Sequence, residues 1–290
     1  MAVAYVHPSS IVTGSSSGFG LLLTKKALES GDTVIATLRK PPVLKKLQSQ
    51  YPEGRLHLIK VDVTKKEEVV AGFKYAAEEV GRIDIVFNNA GYTLLGEAEG
   101  TDEESARKQF EVNYWGALAV STESVKFFRE VNKPQGGKLW NVSSAVGWTA
   151  PPALSQYSAS KHALEGATEA LALELDPAWN IKISLLEFGS FRTRILAPES
   201  LITLPVHPAY TNPNLMTHYV RGFFDAGEAP GDSEKAINVL YDKVADDPNP
   251  PLRIPLGQDA LRDVRVSAQK ILEDCERTAP LSADLLYVKS

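Results

Sequence analysis

Cysteine is nearly absent: the 290 residues contain one, Cys275. A lone thiol excludes an internal disulfide and a cysteine-based zinc site, and it fits a reducing compartment. Histidine is sparse as well. His7, His57, His162, His207 and His218 show no H-E-x-x-H or other ligand spacing, so no metal is expected. No apolar run reaches the ~18 residues of a membrane span. The N-terminus lacks a basic-then-apolar leader pattern, and a cytoplasmic protein without a membrane partner is expected. Positive charge is not in excess. The net charge is −5, which gives no support to a nucleic-acid or anionic-membrane partner. No internal repeat is visible.

What remains is ordinary for a soluble protein: 43% hydrophobic and 23% charged residues. The length suits one large α/β domain or two small ones and can bury a sizeable core. Strand-like and helix-like stretches alternate. Strands are expected at 10–13, 32–37, 56–61, 83–87, 138–142, 181–186 and 252–256. Helices are expected at 21–28, 65–80, 102–130, 155–177, 233–244 and 258–276. This order predicts a doubly wound, Rossmann-like parallel sheet of seven strands with helices on both faces, in a single domain over residues 1–290.

Several stretches carry chemistry. Gly14, Ser15, Ser16, Ser17, Gly18, Phe19 and Gly20 lie between the first strand and its helix. Strand, glycine-rich turn and helix is the context a dinucleotide pyrophosphate needs: glycines allow close approach, and the helix N-terminus offers N–H groups. A plain flexible loop is the alternative. After the second strand the residue at the expected acidic position is Thr37, and Arg39 and Lys40 follow. A cationic pair there suits a ribose 2′-phosphate better than a 2′-hydroxyl, so NADP(H) is favoured over NAD(H). Asp62 and Val63 end the third strand, and Asp62 is also a candidate helix cap. Asn88, Asn89, Ala90 and Gly91 follow the fourth. Asn113 lies inside a long helix, where a buried carboxamide needs partners.

Tyr157 and Lys161 stand four residues apart on a helix with Ser155 as candidate cap and Pro177 as its stop. Residues i and i+4 share a face. An ammonium beside a phenol favours phenolate and moves a pKa of about 10 toward neutrality. Such a phenol can give or take a proton. Alone, the spacing also describes an ordinary helix face.

The set of motifs, T-G-x-x-x-G-x-G at 13–20, N-N-A-G at 88–91, Ser144 thirteen residues before Tyr157, and Tyr-x-x-x-Lys, resembles the short-chain dehydrogenase/reductase family over about 11–193. The resemblance implies a catalytic set of Asn113, Ser144, Tyr157 and Lys161, with Ser143 a near neighbour of the serine. It implies cofactor contacts from the 14–20 turn, Asp62 and Val63 beside adenine, Asn89, Ala90 and Gly91, Tyr157 and Lys161, and Gly189 and Thr193. It also implies a homodimer or homotetramer through the helices near 102–130 and 155–177. The chain departs from the pattern at Phe188, where the family has Pro before Gly189. Phe188 could pack against the nicotinamide or loosen the turn.

The expected reaction is interconversion of a carbonyl and a secondary alcohol by an NADP(H)-dependent oxidoreductase. Trp148, Phe188 and Phe191 favour a largely apolar substrate. The alternatives are a non-redox isomerase, dehydratase or cyclase on the same fold, kept open by Phe188, and a dinucleotide-binding protein without catalysis. Residues 194–230 lack clear periodicity and are rich in aromatics, as a substrate lid or a subunit contact would be. A C-terminal extension is expected over 277–290.

Overall fold

A computed structural model describes residues 7–192 and 200–286. The strands are β1 Ser9–Thr13, β2 Thr33–Leu38, β3 Leu56–Lys60, β4 Ile85–Asn88, β5 Thr93–Leu95, β6 Gly137–Ser144, β7 Ile181–Phe188, β8 Leu201–Thr203 and β9 Arg253–Leu256. The helices are α1 Gly18–Glu29, α2 Lys45–Gln48, α3 Lys66–Glu79, α4 Glu103–Phe110, α5 Ala117–Glu130, α6 Ser155–Glu174, α7 Met216–Ala226, α8 Ser233–Val244 and α9 Gln258–Thr278.

Seven strands form one parallel sheet in the order β3-β2-β1-β4-β6-β7-β9. Strand residues alternate between its two faces. Val12, Val34, Ala36, Ile85 and Phe87 pack on one side against Leu23 and Ala27 of α1 and Ile237 and Leu240 of α8. Ile11, Ile35, Val86 and Leu139 pack on the other against Phe73 of α3 and Val120 and Phe128 of α5. Each apolar strand therefore serves two cores, which is why the strands read as continuous hydrophobic runs. After β3 the chain returns to the middle of the sheet and pairs β4 with β1. This reversal opens a crevice at the C-terminal ends of β1 and β4, where open α/β sheets bind ligands.

The structure corrects the sequence reading in four places. The expected helix over 102–130 is interrupted: between α4 and α5 the backbone widens into a π turn, Glu111–Gly116. Asn113 sits in that turn, fully buried. Asp62 does not cap the following helix, whose N-cap is Lys65; its carboxylate instead accepts from Thr64 N (3.1 Å) and Oγ1 (2.8 Å). Ser155 is the first residue of α6 rather than its cap, which is Leu154.

The fourth correction concerns the aperiodic stretch after β7, which has structure of its own. β8 pairs in parallel with β5, and α7 follows, closed by Gly227 in the left-handed region at φ 65°. Its helical pattern is easy to miss because Thr217 and Arg221 are the polar residues it buries. Asp232 caps α8 by accepting from the N–H groups of Glu234 and Lys235.

Candidate active site

The turn between β1 and α1 is built around its glycines. Gly14 (φ +64°) and Gly18 (φ +54°) take a backbone region that other residues rarely adopt. A Cβ on Gly20 would stand 2.5 Å from Gly14 O, so only glycine fits. α1 begins here with no side-chain cap and no acidic residue in its first turn, leaving the N–H groups and positive dipole end for an anion. Ser16 is exposed and Ser17 partly so, whereas Ser15 is buried. The Ser15 hydroxyl donates to Val12 O (2.7 Å), so it shapes the turn from inside.

The N-N-A-G turn is tied directly to this loop. Asn89 N and Ala90 N both donate to Thr13 Oγ1, at 2.8 and 2.9 Å, and Asn89 Nδ2 donates to Thr13 O (3.0 Å). Thr13 was not singled out from the sequence. Its only signal is a hydroxyl at a strand end just before the glycines. Arg39 is exposed at the end of β2. Its charge helps hold the Asp62 carboxyl below the ordinary value, although burial opposes this as the largest influence and the bonds from Thr64 do most of the lowering. Val63 is buried, with its side chain and carbonyl against Gly116, where a Cβ would meet both. Thr193 lies outside the described residues.

Ser144, Tyr157 and Lys161 converge at the ends of β6 and α6. The Ser144 hydroxyl donates to Phe188 O (3.2 Å) and faces the Tyr157 phenol. Ser143 points elsewhere: it is buried and donates to Glu165 Oε1 (2.6 Å). The two neighbouring serines are thereby told apart. Lys161 is buried and donates to Val142 O (2.8 Å), with Nζ 5.9 Å from the centre of the Tyr157 ring.

The electrostatics run against the expectation drawn from the Tyr–Lys spacing. Burial raises the Tyr157 phenol above its ordinary value; the hydroxyls of Ser144 and Thr93 oppose this without reversing it. The Thr93 hydroxyl is itself buried and forms no hydrogen bond of full geometry, so its hold on the phenol is loose. Burial also pulls the Lys161 ammonium down to about 8, and the nearby Glu165 carboxylate partly restores it. Desolvation outweighs the pairing of charges because both groups are withdrawn from water.

Asn113 is held on both sides of its carboxamide. Its Oδ1 accepts from Tyr92 N (3.0 Å), and its Nδ2 donates to Tyr92 O (2.9 Å) and Ser160 Oγ (3.1 Å). It thus couples the π turn, the segment after Gly91 and α6. A Cβ on Gly91 would lie 3.1 Å from Asn113 Oδ1 and 3.7 Å from Lys161 Nζ.

A model of the short-chain dehydrogenase family matches residues 9–201. The chain belongs to that family. Within it, the chain is 36% identical over 275 residues to an uncharacterized oxidoreductase of Schizosaccharomyces pombe, covering 95% of this chain and 90% of the relative. A crystal structure of a short-chain dehydrogenase from Streptomyces avermitilis is 31% identical, with a TM-score of 0.87, covering 97% of this chain and 99% of the other. Two further structures share the fold at lower identity. One, from Burkholderia phymatum in complex with NAD, has 20% identity, a TM-score of 0.74 and 99% coverage of both chains. The other, from Burkholderia cenocepacia in complex with NADP, has 23% identity, a TM-score of 0.66 and coverage of 97% and 98%. This short-chain dehydrogenase is an oxidoreductase. Among the described residues no helix is long and apolar enough to cross a membrane, and no cluster of His, Cys, Asp and Glu could hold a metal ion.

Phe188, the departure from the family pattern, is packed into the core beside the glycine-rich turn. Its ring is buried and stacks on Phe19 of the glycine-rich turn, centroids 4.0 Å apart, and Phe191 closes the cluster edge-on. Such pairs contribute about 1 kcal/mol beyond their burial. Gly189 N donates to Leu256 O (2.8 Å), and a Cβ there would strike the Asp259 carboxylate, which accepts from Ser190 N (2.6 Å). Trp148 is engaged as well: its Nε1 donates to Glu187 Oε1 (3.0 Å) and its ring lies under Arg253. The aromatics expected to face substrate are thus largely spent on structure.

Proposed function

We propose that this chain is an NADP(H)-dependent oxidoreductase that interconverts a carbonyl and a secondary alcohol on a largely apolar substrate. The observation that carries the reading is the grouping of three side chains: the Ser144 hydroxyl faces the Tyr157 phenol, and Lys161 Nζ lies 5.9 Å from the centre of the same ring. The uncapped start of α1, the glycine turn and the Thr13-anchored Asn89–Gly91 turn fit a dinucleotide, and Arg39 at the end of β2 fits its 2′-phosphate. When bound, the cofactor supplies or accepts the hydride.

The residues of this chain handle the proton and the developing charge. In reduction Tyr157 gives its proton to the substrate oxygen, and in oxidation it takes one. Burial that keeps the phenol protonated favours the acid role. Ser144 donates to the same oxygen as negative charge develops. Lys161 holds positive charge beside the phenol and the nicotinamide ribose, and that charge is lost as pH rises through about 8. Asn113 fixes α6 and the π turn in register and completes the proton path. Ser16, Ser17, Gly18, Phe19, Asp62, Val63, Gly189 and Thr193 are assigned to the cofactor by the same reading.

The case for an apolar substrate now rests on residues other than Trp148 and Phe188. Tyr157 packs with Val146, Leu201, Val220 and Phe224 around buried Leu95 and Leu154. Three of these, Leu201, Val220 and Phe224, come from the segment read as a lid. Exposed Trp115 in the π turn and Leu173 on α6 lie on the helices through which a homodimer or homotetramer is expected.

Tyr157→Phe tests the chemistry. Turnover of ketones with NADPH should fall by about a thousandfold while NADPH binding persists, and near-normal turnover removes Tyr157 from the mechanism. Arg39→Ala tests the cofactor. A preference for NADPH over NADH should fall by about tenfold, and an unchanged preference places the phosphate elsewhere.

A further inference from the structure

Behind the Ser144–Lys161 pair lies a buried ionic cluster that the proposed reaction does not use. Glu165 follows Lys161 by one turn of α6, and Glu187 precedes Phe188 on β7; both carboxylates are almost wholly buried. One cation faces both. Arg253 of β9 directs Nη1 to Glu165 Oε2 and to Glu187 Oε1 (3.1 Å), and Nη2 to Glu169 Oε2 (2.9 Å).

Each carboxylate also grips the segment that carries the site. Glu165 Oε1 accepts from Ser143 Oγ (2.6 Å), the residue between Val142, whose carbonyl holds Lys161, and Ser144. Glu187 Oε1 accepts from Trp148 Nε1 in the turn that follows Ser144, and Arg253 lies 4.7 Å from the centre of the Trp148 ring. The cluster therefore touches the Val142–Trp148 segment at two points and the lysine helix at a third.

We propose that Arg253 is a positioning residue for Lys161 and Ser144: from the far end of the chain it pins Glu165 and Glu187 beneath the Ser143–Ser144 segment and so holds the Glu165 carboxylate beside the buried lysine. A buried carboxylate that loses its cation is driven toward its neutral form. Burial and Glu187 already push Glu165 up, and Arg253 and Ser143 pull it back. Glu165 in turn raises the Lys161 ammonium against burial. The titratable groups around Lys161 are Tyr157 and Glu165 on its own helix, with Glu187, Arg253 and Glu169 beyond Glu165. Removing Arg253 leaves Glu165 to take up a proton, and the lysine then loses its nearest negative charge. Arg253 lies outside the matched residues 9–201, so the β9 strand would act on the site as well as close the sheet.

The inference rests on the role given to Lys161 above, but its test does not. The full chain, without cofactor or substrate, is labelled with ¹³Cε-lysine, and the Lys161 signal is assigned by its loss in Lys161→Arg. NMR then reads its titration midpoint. Arg253→Gln and Glu165→Gln should each lower the midpoint by about half a pH unit or more, and Arg253→Lys, which keeps the charge, by less. An unchanged midpoint in Arg253→Gln overturns the proposal. If Arg253→Gln does not fold, Glu165→Gln decides: because the effect of Arg253 on Lys161 runs through Glu165, a midpoint equal to wild type overturns the proposal and a lowered one supports it. NADPH binding by fluorescence is measured alongside. A wild-type protein that binds no NADPH sinks the function proposed above and leaves the lysine measurement standing.

Discussion

Two regions meet at the Tyr157 phenol, and they are held by opposite means. On the cofactor side, the β1 and β4 turns are joined by small neutral groups: Thr13 Oγ1 accepts two backbone N–H groups, and the glycines let chains pass at van der Waals distance. On the other side, the 200–226 segment is fastened by charge. Glu97, just after β5, is buried and accepts from Arg221 of α7 at both oxygens (2.8 and 2.6 Å), from Thr217 Oγ1 (2.5 Å) and from His207 N (3.2 Å). Arg221 also donates to the Leu204 and Pro205 carbonyls.

The difference teaches how each region can fail. A hydrogen-bonded turn of short side chains loses little when one bond goes, whereas a buried ion pair loses much when one partner goes, because the other charge is stranded. The first region is also continuous with the sheet. The second is attached by the three-residue strand pair β5–β8 and this clamp.

The largest expected effect is therefore on the clamp. Arg221→Met should cost about 3 kcal/mol or more, read by denaturant unfolding, and should expose 200–226 to limited proteolysis while NADPH affinity changes less than about twofold. An equal loss of NADPH affinity would erase the distinction between the two regions.

The clamp also carries a pH signature. Arg221, despite the opposing effect of burial, holds the Glu97 carboxyl well below its ordinary value of 4.5. A depressed folded-state value means that the stabilisation is complete above pH 4.5 and is lost as pH falls below it. Melting temperatures of wild type and Glu97→Gln should therefore differ most at neutral pH and converge on acidification below 4.5. Parallel curves down to pH 3 would show that Glu97 is not an ionised partner.

On the cofactor side, Gly20→Ala should cost about 2 kcal/mol, because its Cβ would meet Gly14 O at 2.5 Å. It should weaken NADPH binding at least tenfold by displacing the turn, as measured by fluorescence titration. The smallest effect belongs to Thr13→Val, which removes the acceptor of two half-buried N–H groups and should cost about 1–2 kcal/mol in denaturant unfolding. If Thr13→Val proved as damaging as Arg221→Met, the neutral turn would be as brittle as the clamp.

Much of the fold and part of the site could be read along the chain, for a physical reason. The strand and helix periods, the glycines at 14, 18 and 20 and the Tyr157–Lys161 spacing are all local: backbone geometry converts residue spacing directly into shape. The α7 helix escaped because the two polar residues it buries, Thr217 and Arg221, find their partner Glu97 more than a hundred residues away. The form of the turn at Asn113 was not legible because the groups that hold it are also remote, Tyr92 and Ser160.

The sequence by itself determined the alternating architecture, the glycine-rich turn after the first strand, and which hydroxyl, phenol and amine are available, since these follow from local propensity and spacing. Only the tertiary structure decided what those groups experience. It gave Ser143 and Ser144 separate partners, turned Phe188 into a support for Phe19 and raised the Tyr157 phenol. It also brought Arg253 under the Ser143–Ser144 segment. Burial and long-range charge set these outcomes, and both depend on which distant segments the fold brings into contact.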